Sequence, residues 1–217
     1  MSARDAILTR VREALADVPD IPVEQDTPIP WEYHRPVPVD DVIDLFVERV
    51  VDYKAVVERA AAQEVPGKIV AALQHANAGN VVLPAGVPES WRAAIESSGI
   101  EIRTDDPPLS RRRLNETAAV VTAAAVGCAV TGTIMLDHAP DQGRRALSLV
   151  PDVHVCVVRT DQVVTDVPEA VGRLGEAARA GQPMTWISGP SATSDIELSR
   201  VEGVHGPRRL HVILAES

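Results

Sequence analysis

The residues with chemistry to offer are concentrated near the C-terminal end of the chain. Met184-Thr185-Trp186-Ile187 and Leu210-His211-Val212-Ile213-Leu214 read as buried strands. Between them lie Ser188, Ser191, Thr193, Ser194, Asp195, Glu197, His205, Arg208 and Arg209. That is more donors and acceptors than a simple connector needs. In "SGPS" (188–191), Gly189 is free to take a positive φ and Pro190 fixes a turn, so successive N–H groups can converge on one point. Ser191 and Thr193 add hydroxyls, and Asp195 and Glu197 add carboxylates. Asp195 or Ser194 also has the position to cap a short helix through "DIELSRV". His205, in "GVHGPRR", can serve as a general acid or base near neutral pH, or simply satisfy nearby carbonyls. The catalytic candidates are therefore Asp195, Glu197 and His205. The ligand-binding candidates here are Gly189, Pro190, Ser191, Thr193 and Gly206.

A second stretch, "GCAVTGTIMLDH" (127–138), places Thr131, Gly132 and Thr133 at the start of an apolar segment. Small hydroxyl residues around a glycine permit close approach of backbone to a carboxylate or phosphate. The same three residues also suit a hairpin turn between neighbouring strands. Arg111, Arg112 and Arg113, with Arg144 and Arg145, form basic islands. One such arginine can take a substrate carboxylate bidentately, while the rest read as a solvated face. Phosphate-loop, dinucleotide-binding, nucleophile-elbow and zinc-helix motifs are absent, so hydride transfer by this chain alone has no support in the sequence.

The elements that must position these groups alternate. Residues 2–16 read as an amphipathic helix, with Ser2 as its cap and Ile7, Leu8, Val11 and Leu15 at helical spacing. Six prolines between positions 19 and 38 then forbid regular helix or central strand, giving an extended arm. From Asp40 onward, helices at 42–51, 65–75, 89–97 and 167–180 alternate with short apolar runs. These runs are "KAVVERA", "NVVLP", "GIEIR", "AAVVTAAAV", "GTIML", "VHVCVVR", "MTWIS" and "LHVIL". The pattern predicts an α/β fold: a mostly parallel sheet flanked by helices, preceded by the N-terminal helix and proline-rich arm. The organisation expected is an arm over 1–39 and a domain over 40–217. Residues 118–125 and 132–136 are candidates for an antiparallel pair. Ligands in such sheets gather beyond the carboxyl ends of strands, where the loop from Ser188 leaves its strand.

Composition narrows the function classes. The 217 residues carry a formal charge of −10, which favours neither nucleic acid nor an anionic membrane as partner. Hydrophobic residues make up 45% and aromatics only 3%, so aliphatic side chains must build the core. No run approaches the ~20 apolar residues of a membrane span, and the N-terminus lacks a signal-peptide core, so the expected location is cytoplasmic. Cys128 and Cys156 sit in apolar runs without a C-x-x-C pair, and no metal site is expected on this chain. The N-terminal arm, with its apolar helical stripe, suits packing on a second copy in a homo-oligomer.

"SGPSATSDIE" (188–197) followed by "GVHGPRRLHVIL" (203–214) resembles the C-terminal signature of the LUD-domain family. "ARDAILTRVREAL" (3–15), the proline arm and "VPDVHVCVV" (150–158) extend the likeness over essentially the whole chain. The resemblance implies a fold like that of the NagB/RpiA sugar-phosphate isomerases and CoA-transferases. It also implies a part in oxidising L-lactate to pyruvate, alongside two iron–sulfur partner proteins that carry the redox clusters. No cofactor is then expected on this chain, and its ligand is a small carboxylate or phosphate. The alternative is a stand-alone isomerase or CoA-transferase type of enzyme acting on a small phosphorylated or carboxylated metabolite. In the family an acidic residue often precedes T-G-T; here that position is Val130. A carboxylate there would be a natural acid/base or nucleophile, so its replacement weighs against independent transferase chemistry.

Overall fold

The structure is a computed structural model that describes residues 2–19, 21–22, 38–193, 201–202 and 206–216. Chain contacts divide it into two units, residues 1–35 and residues 36–217. The first unit contains helix α1 (Ala3–Ala14). Ser2 caps it in a reciprocal box: Asp5 N–H donates to Ser2 Oγ at 3.2 Å, and Ser2 N–H donates to Asp5 Oδ2 at 2.9 Å. Its apolar stripe of Ile7, Leu8, Val11 and Leu15 is open to solvent within this chain. The proline-rich arm over 23–37 lies outside the described residues.

The second unit is built on a six-stranded, wholly parallel sheet. Its strands are β1 (Val56–Ala61), β2 (Asn80–Leu83), β3 (Glu101–Thr104), β4 (Ala119–Ala123), β7 (Val153–Arg159) and β12 (Arg209–Glu216), in the order β1-β12-β7-β4-β2-β3. Central strands read as continuous aliphatic runs because both faces are covered: all five residues of β4 and six of seven in β7 are buried. Helices α3 (Val65–His75) and α4 (Glu89–Ser97) cover one face, where Ile69, Leu73, Trp91 and Ile95 pack on Val81, Val121, Val155 and Ile213. On the other face, Phe46 and Val50 of α2 (Val42–Asp52) pack on Cys156, Val158, Val212 and Leu214. Asp41 starts α2 by accepting Asp44 N–H at 2.8 Å. The short α5 (Arg111–Asn115) buries Leu114 against Val82, Val120 and Leu147.

A second, four-stranded mixed sheet completes this layer, in the order β8-β5-β6-β9. Its strands are β5 (Val126–Cys128), β6 (Thr133–Leu136), β8 (Val163–Val164) and β9 (Thr185–Ile187). Ile134 and Leu136 face the main sheet, while Met135 points away to Ala170 and Leu174 of α6 (Val167–Arg179). That alternation is the ordinary period of a strand covered on both sides. A last pair, β10 (Ala192–Thr193) and β11 (Val201–Glu202), is antiparallel.

One strand pairing differs from the sequence expectation. The run 118–125 is not the antiparallel partner of 132–136. Residues 119–123 belong to the main sheet and run parallel to both neighbours. The antiparallel partner is 126–128, with Val126 opposite Met135 and Cys128 opposite Thr133. The chain changes sheets at Ala124–Ala125, within one unbroken apolar run.

Candidate functional site

The loop after β9 leaves the small sheet at its carboxyl end and then enters β12 at that strand's amino end. The polar motif therefore lies at the amino edge of the main sheet. The sequence expectation of a carboxyl-end position holds for β9 alone. Gly189 takes φ +88°, and a Cβ there would also lie 2.4 Å from Tyr53 Cβ, so glycine is required on both counts. Its freedom lets the loop pass tightly over the end of α2. Ser191 N–H donates to Pro207 O at 2.8 Å, which ties "SGPS" to "GPRR" across the loop.

These residues form one wall of a cavity of about 280 Å³. Of the ligand-binding candidates in this loop, Gly189, Pro190, Ser191 and Gly206 line it, together with Ser188. The backbone of Thr193 continues into β10, beyond that wall. Asp195, Glu197 and His205 lie outside the described residues. Arg208 turns away and pairs with Asp152, and Arg209 reaches the same carboxylate at 3.9 Å.

The opposite wall is formed by Arg145, one of the arginines the sequence offered for a carboxylate, together with Ser148, His154, Thr185 and Trp186, which the sequence did not single out as site residues. Arg145 Nη1 donates to Thr185 Oγ1 at 2.6 Å, and Thr185 Oγ1 lies 2.8 Å from His138 Nε2. His138 Nδ1 is 2.7 Å from Gly143 O. The hydrogen-bonding roles follow from the donors available. Arginine only donates and a carbonyl only accepts, so Thr185 Oγ1 accepts from Arg145 and His138 Nδ1–H donates to Gly143 O. This chain orients the Arg145 guanidinium, which has no carboxylate partner among the described residues. Its neighbour Arg144 is committed elsewhere, to Asp105 at 2.6 and 2.9 Å and to Leu109 O at 2.7 Å.

His154 lines the cavity from β7 and is 1% exposed. Burial pushes its pKa down to about 4, so the imidazole is neutral near pH 7. Its Nε2 meets Thr122 Oγ1 at 2.8 Å. Burial also raises the Cys156 thiol to about 12, leaving it un-ionised. Arg145 therefore supplies the fixed positive charge among the described lining residues. It is joined by the Ser148, Ser188 and Ser191 hydroxyls and by the apolar surfaces of Trp186, Leu149 and Leu210. That composition suits a small organic anion bearing a further oxygen.

Thr131 and Gly132 lie in the β5–β6 hairpin turn, Thr133 opens β6 opposite Cys128, and none of the three lines the cavity. What approaches Gly132 closely is the main chain of Arg49 on α2, 2.7 Å from where a Cβ would stand. Thr133 nevertheless reaches the loop, with its Oγ1 2.8 Å from Ser188 Oγ. Val130, before the turn, is partly exposed, and its N–H donates to Thr165 O at 3.0 Å. No group of three or more His, Cys, Asp or Glu among the described residues is placed to hold a metal ion, and no described helix is long and apolar enough to cross a membrane.

Parallel sheet, mixed second sheet and the paired loop motifs together define the class: residues 43–215 match the LUD domain, and the chain belongs to that family. It is a homologue of lactate utilization protein C of Deinococcus radiodurans, with 49% identity over 85% of this chain and 84% of that protein. An uncharacterised protein of Neisseria meningitidis serogroup B is 34% identical over 99% of this chain and 94% of its own length. The crystal structure of a DUF162 family protein from D. radiodurans superposes with a TM-score of 0.71 at 44% identity. That match covers 83% of this chain and 99% of the crystallised one.

Proposed function

We propose that this protein takes part in the oxidation of L-lactate to pyruvate as a subunit without a redox centre of its own, working with two iron–sulfur proteins. The observation that carries this reading is the near full-length likeness to lactate utilization protein C. The cavity chemistry supports it. Lactate and pyruvate each carry one carboxylate, one further oxygen on C2 and a methyl group. Arg145 offers a guanidinium for the carboxylate, Ser188 and Ser191 offer hydroxyls for the C2 oxygen, and Trp186 or Leu149 offers an apolar surface for the methyl.

Oxidation at C2 removes two electrons and two protons. In this proposal the electrons pass to the partners' clusters, in keeping with the likeness to lactate utilization protein C. This chain's part is to hold the carboxylate and orient the C2 hydroxyl. Asp195, Glu197 and His205 are proposed, on sequence position alone, as the acid/base groups that take both protons, one from the C2 hydroxyl and one from C2 itself, as the electron pair leaves for the partners' clusters. The arrangement calls for soluble partners and a cytoplasmic setting, and the α1 stripe is proposed as a contact between copies.

The test is reconstitution. The three proteins should co-purify, and lactate-dependent electron transfer should fall to background when this subunit is omitted. Full turnover by the two iron–sulfur proteins alone would overturn the proposal.

A further inference from the structure

A second cavity lies on the opposite edge of the main sheet, and its position follows from the topology. From β2 the chain moves outward through α4 to β3; from β4 it moves the other way, to β7 and then β12. The connections therefore diverge between β4 and β2, which opens a crevice at their carboxyl ends, the usual ligand position in open α/β sheets. Here the crevice is sealed. Gly86 N–H donates to Pro140 O at 2.9 Å, and Ala123 N–H donates to Asp141 O at 3.1 Å. The seal leaves a cavity of about 470 Å³ displaced toward β3.

Its floor is apolar, formed by Leu83, Pro84 and Leu147. Its wall carries Arg92 from α4, whose side chain is only 20% exposed. The ion pair recorded for that guanidinium is a long one, 3.8 Å to Glu89, whose own side chain is 83% exposed. A pair of that length to a solvated partner compensates little of the cost of desolvating the charge. Asp105, on the same wall, is not the missing counter-ion, because Arg144 holds both its oxygens. Asp106 adds a carboxylate at the rim and so disfavours a doubly charged guest.

We propose that this cavity is a binding site for a small monocarboxylate with a short aliphatic body, distinct from the site at the amino edge. The carboxylate pairs with Arg92, and the aliphatic body lies on Leu83, Pro84 and Leu147. The site does not depend on the role in lactate oxidation.

The test is an amide-resolved NMR titration of the full chain with butyrate and, separately, with inorganic phosphate. Butyrate should shift the amides of Ala85, Thr104 and Gly143 saturably in the wild type and equally in Arg145→Gln. Arg92→Gln should weaken that binding by about tenfold or more, the loss expected for one charge-assisted pair. Ala85→Leu, which fills the mouth without removing a charge, should weaken it as well. Absence of saturable shifts at these amides, unchanged affinity in Arg92→Gln, or phosphate binding as tightly as butyrate would each overturn the proposal.

Discussion

Arg144 and Arg145 are consecutive in the chain and grip opposite walls. Arg144 holds Asp105, beside the carboxyl-edge cavity, and Arg145 holds Thr185, beside the amino-edge cavity. The segment around them is a partition between the two cavities: Gly143 and Leu147 line one, Ser148 and Leu149 the other. Two arginines that look alike in sequence thus have different duties. Arg144 is neutralised and structural, while Arg145 is oriented and lacks an acidic partner among the described residues.

Arg145→Gln is therefore expected to weaken L-lactate or pyruvate binding by roughly tenfold to a hundredfold. A hydrogen-bonded charge contributes about 1.5–3 kcal/mol. Arg145 is exposed, so melting temperature should hardly change. Isothermal titration together with thermal denaturation checks both halves.

His154 gives a pH dependence of stability. Its folded pKa lies near 4, below the ordinary 6.5 that it regains on unfolding. Between those values the unfolded chain binds the proton and the folded chain does not. Stability from this group is thus intact above about pH 6.5 and falls as pH drops toward about 4, by roughly 3 kcal/mol in all. Urea denaturation across that window should show a steeper loss in the wild type than in His154→Gln. Equal slopes would mean that the imidazole is not held neutral.

Most of the scaffold was legible in the sequence. The helices over 42–52, 65–75, 89–97 and 167–179 follow from apolar spacing, and the structure adds the acidic caps Asp41 and Asp166. The break at Ala124–Ala125 was not legible, because a strand that changes sheets inside a continuous apolar run leaves no local mark. The loop wall of the cavity, Ser188 to Ser191 with Gly206, was visible as a motif. Of the other wall only Arg145 stood out, as one of several arginines suited to a carboxylate. His154 sits in a run that reads as core, and only the strand register shows that its face opens on the cavity. Arg145 and Ser148 come from a stretch with no periodicity, brought across the site by tertiary packing. Gly132 left two readings open for a related reason, since a glycine that permits close approach does not say whether a ligand or a helix approaches.

Gly189→Ala and Gly206→Ala should separate the two demands on glycine. Both have positive φ, which costs a side chain about 1–2 kcal/mol. At Gly189 the new Cβ also meets Tyr53, whereas at Gly206 none of the described residues lies within 4 Å of it. Chemical denaturation should therefore show a clearly larger loss at 189. Equal losses would mean that the loop is not packed on the end of α2.

The Thr133–Ser188 contact joins the hairpin turn to the loop. Thr133→Val should cost about 1 kcal/mol of stability and loosen the loop, while Thr133→Ser should keep the hydrogen bond. Hydrogen exchange at the Gly189 and Ser191 amides should accelerate in the valine variant alone.

The most direct measurement is a crystal structure of the protein grown with saturating L-lactate or pyruvate. The ligand is expected at the amino edge of the main sheet, its carboxylate on Arg145 and its C2 oxygen toward Ser188 or Ser191, with His154 beneath. Solvent alone in that cavity under those conditions would contradict the assignment.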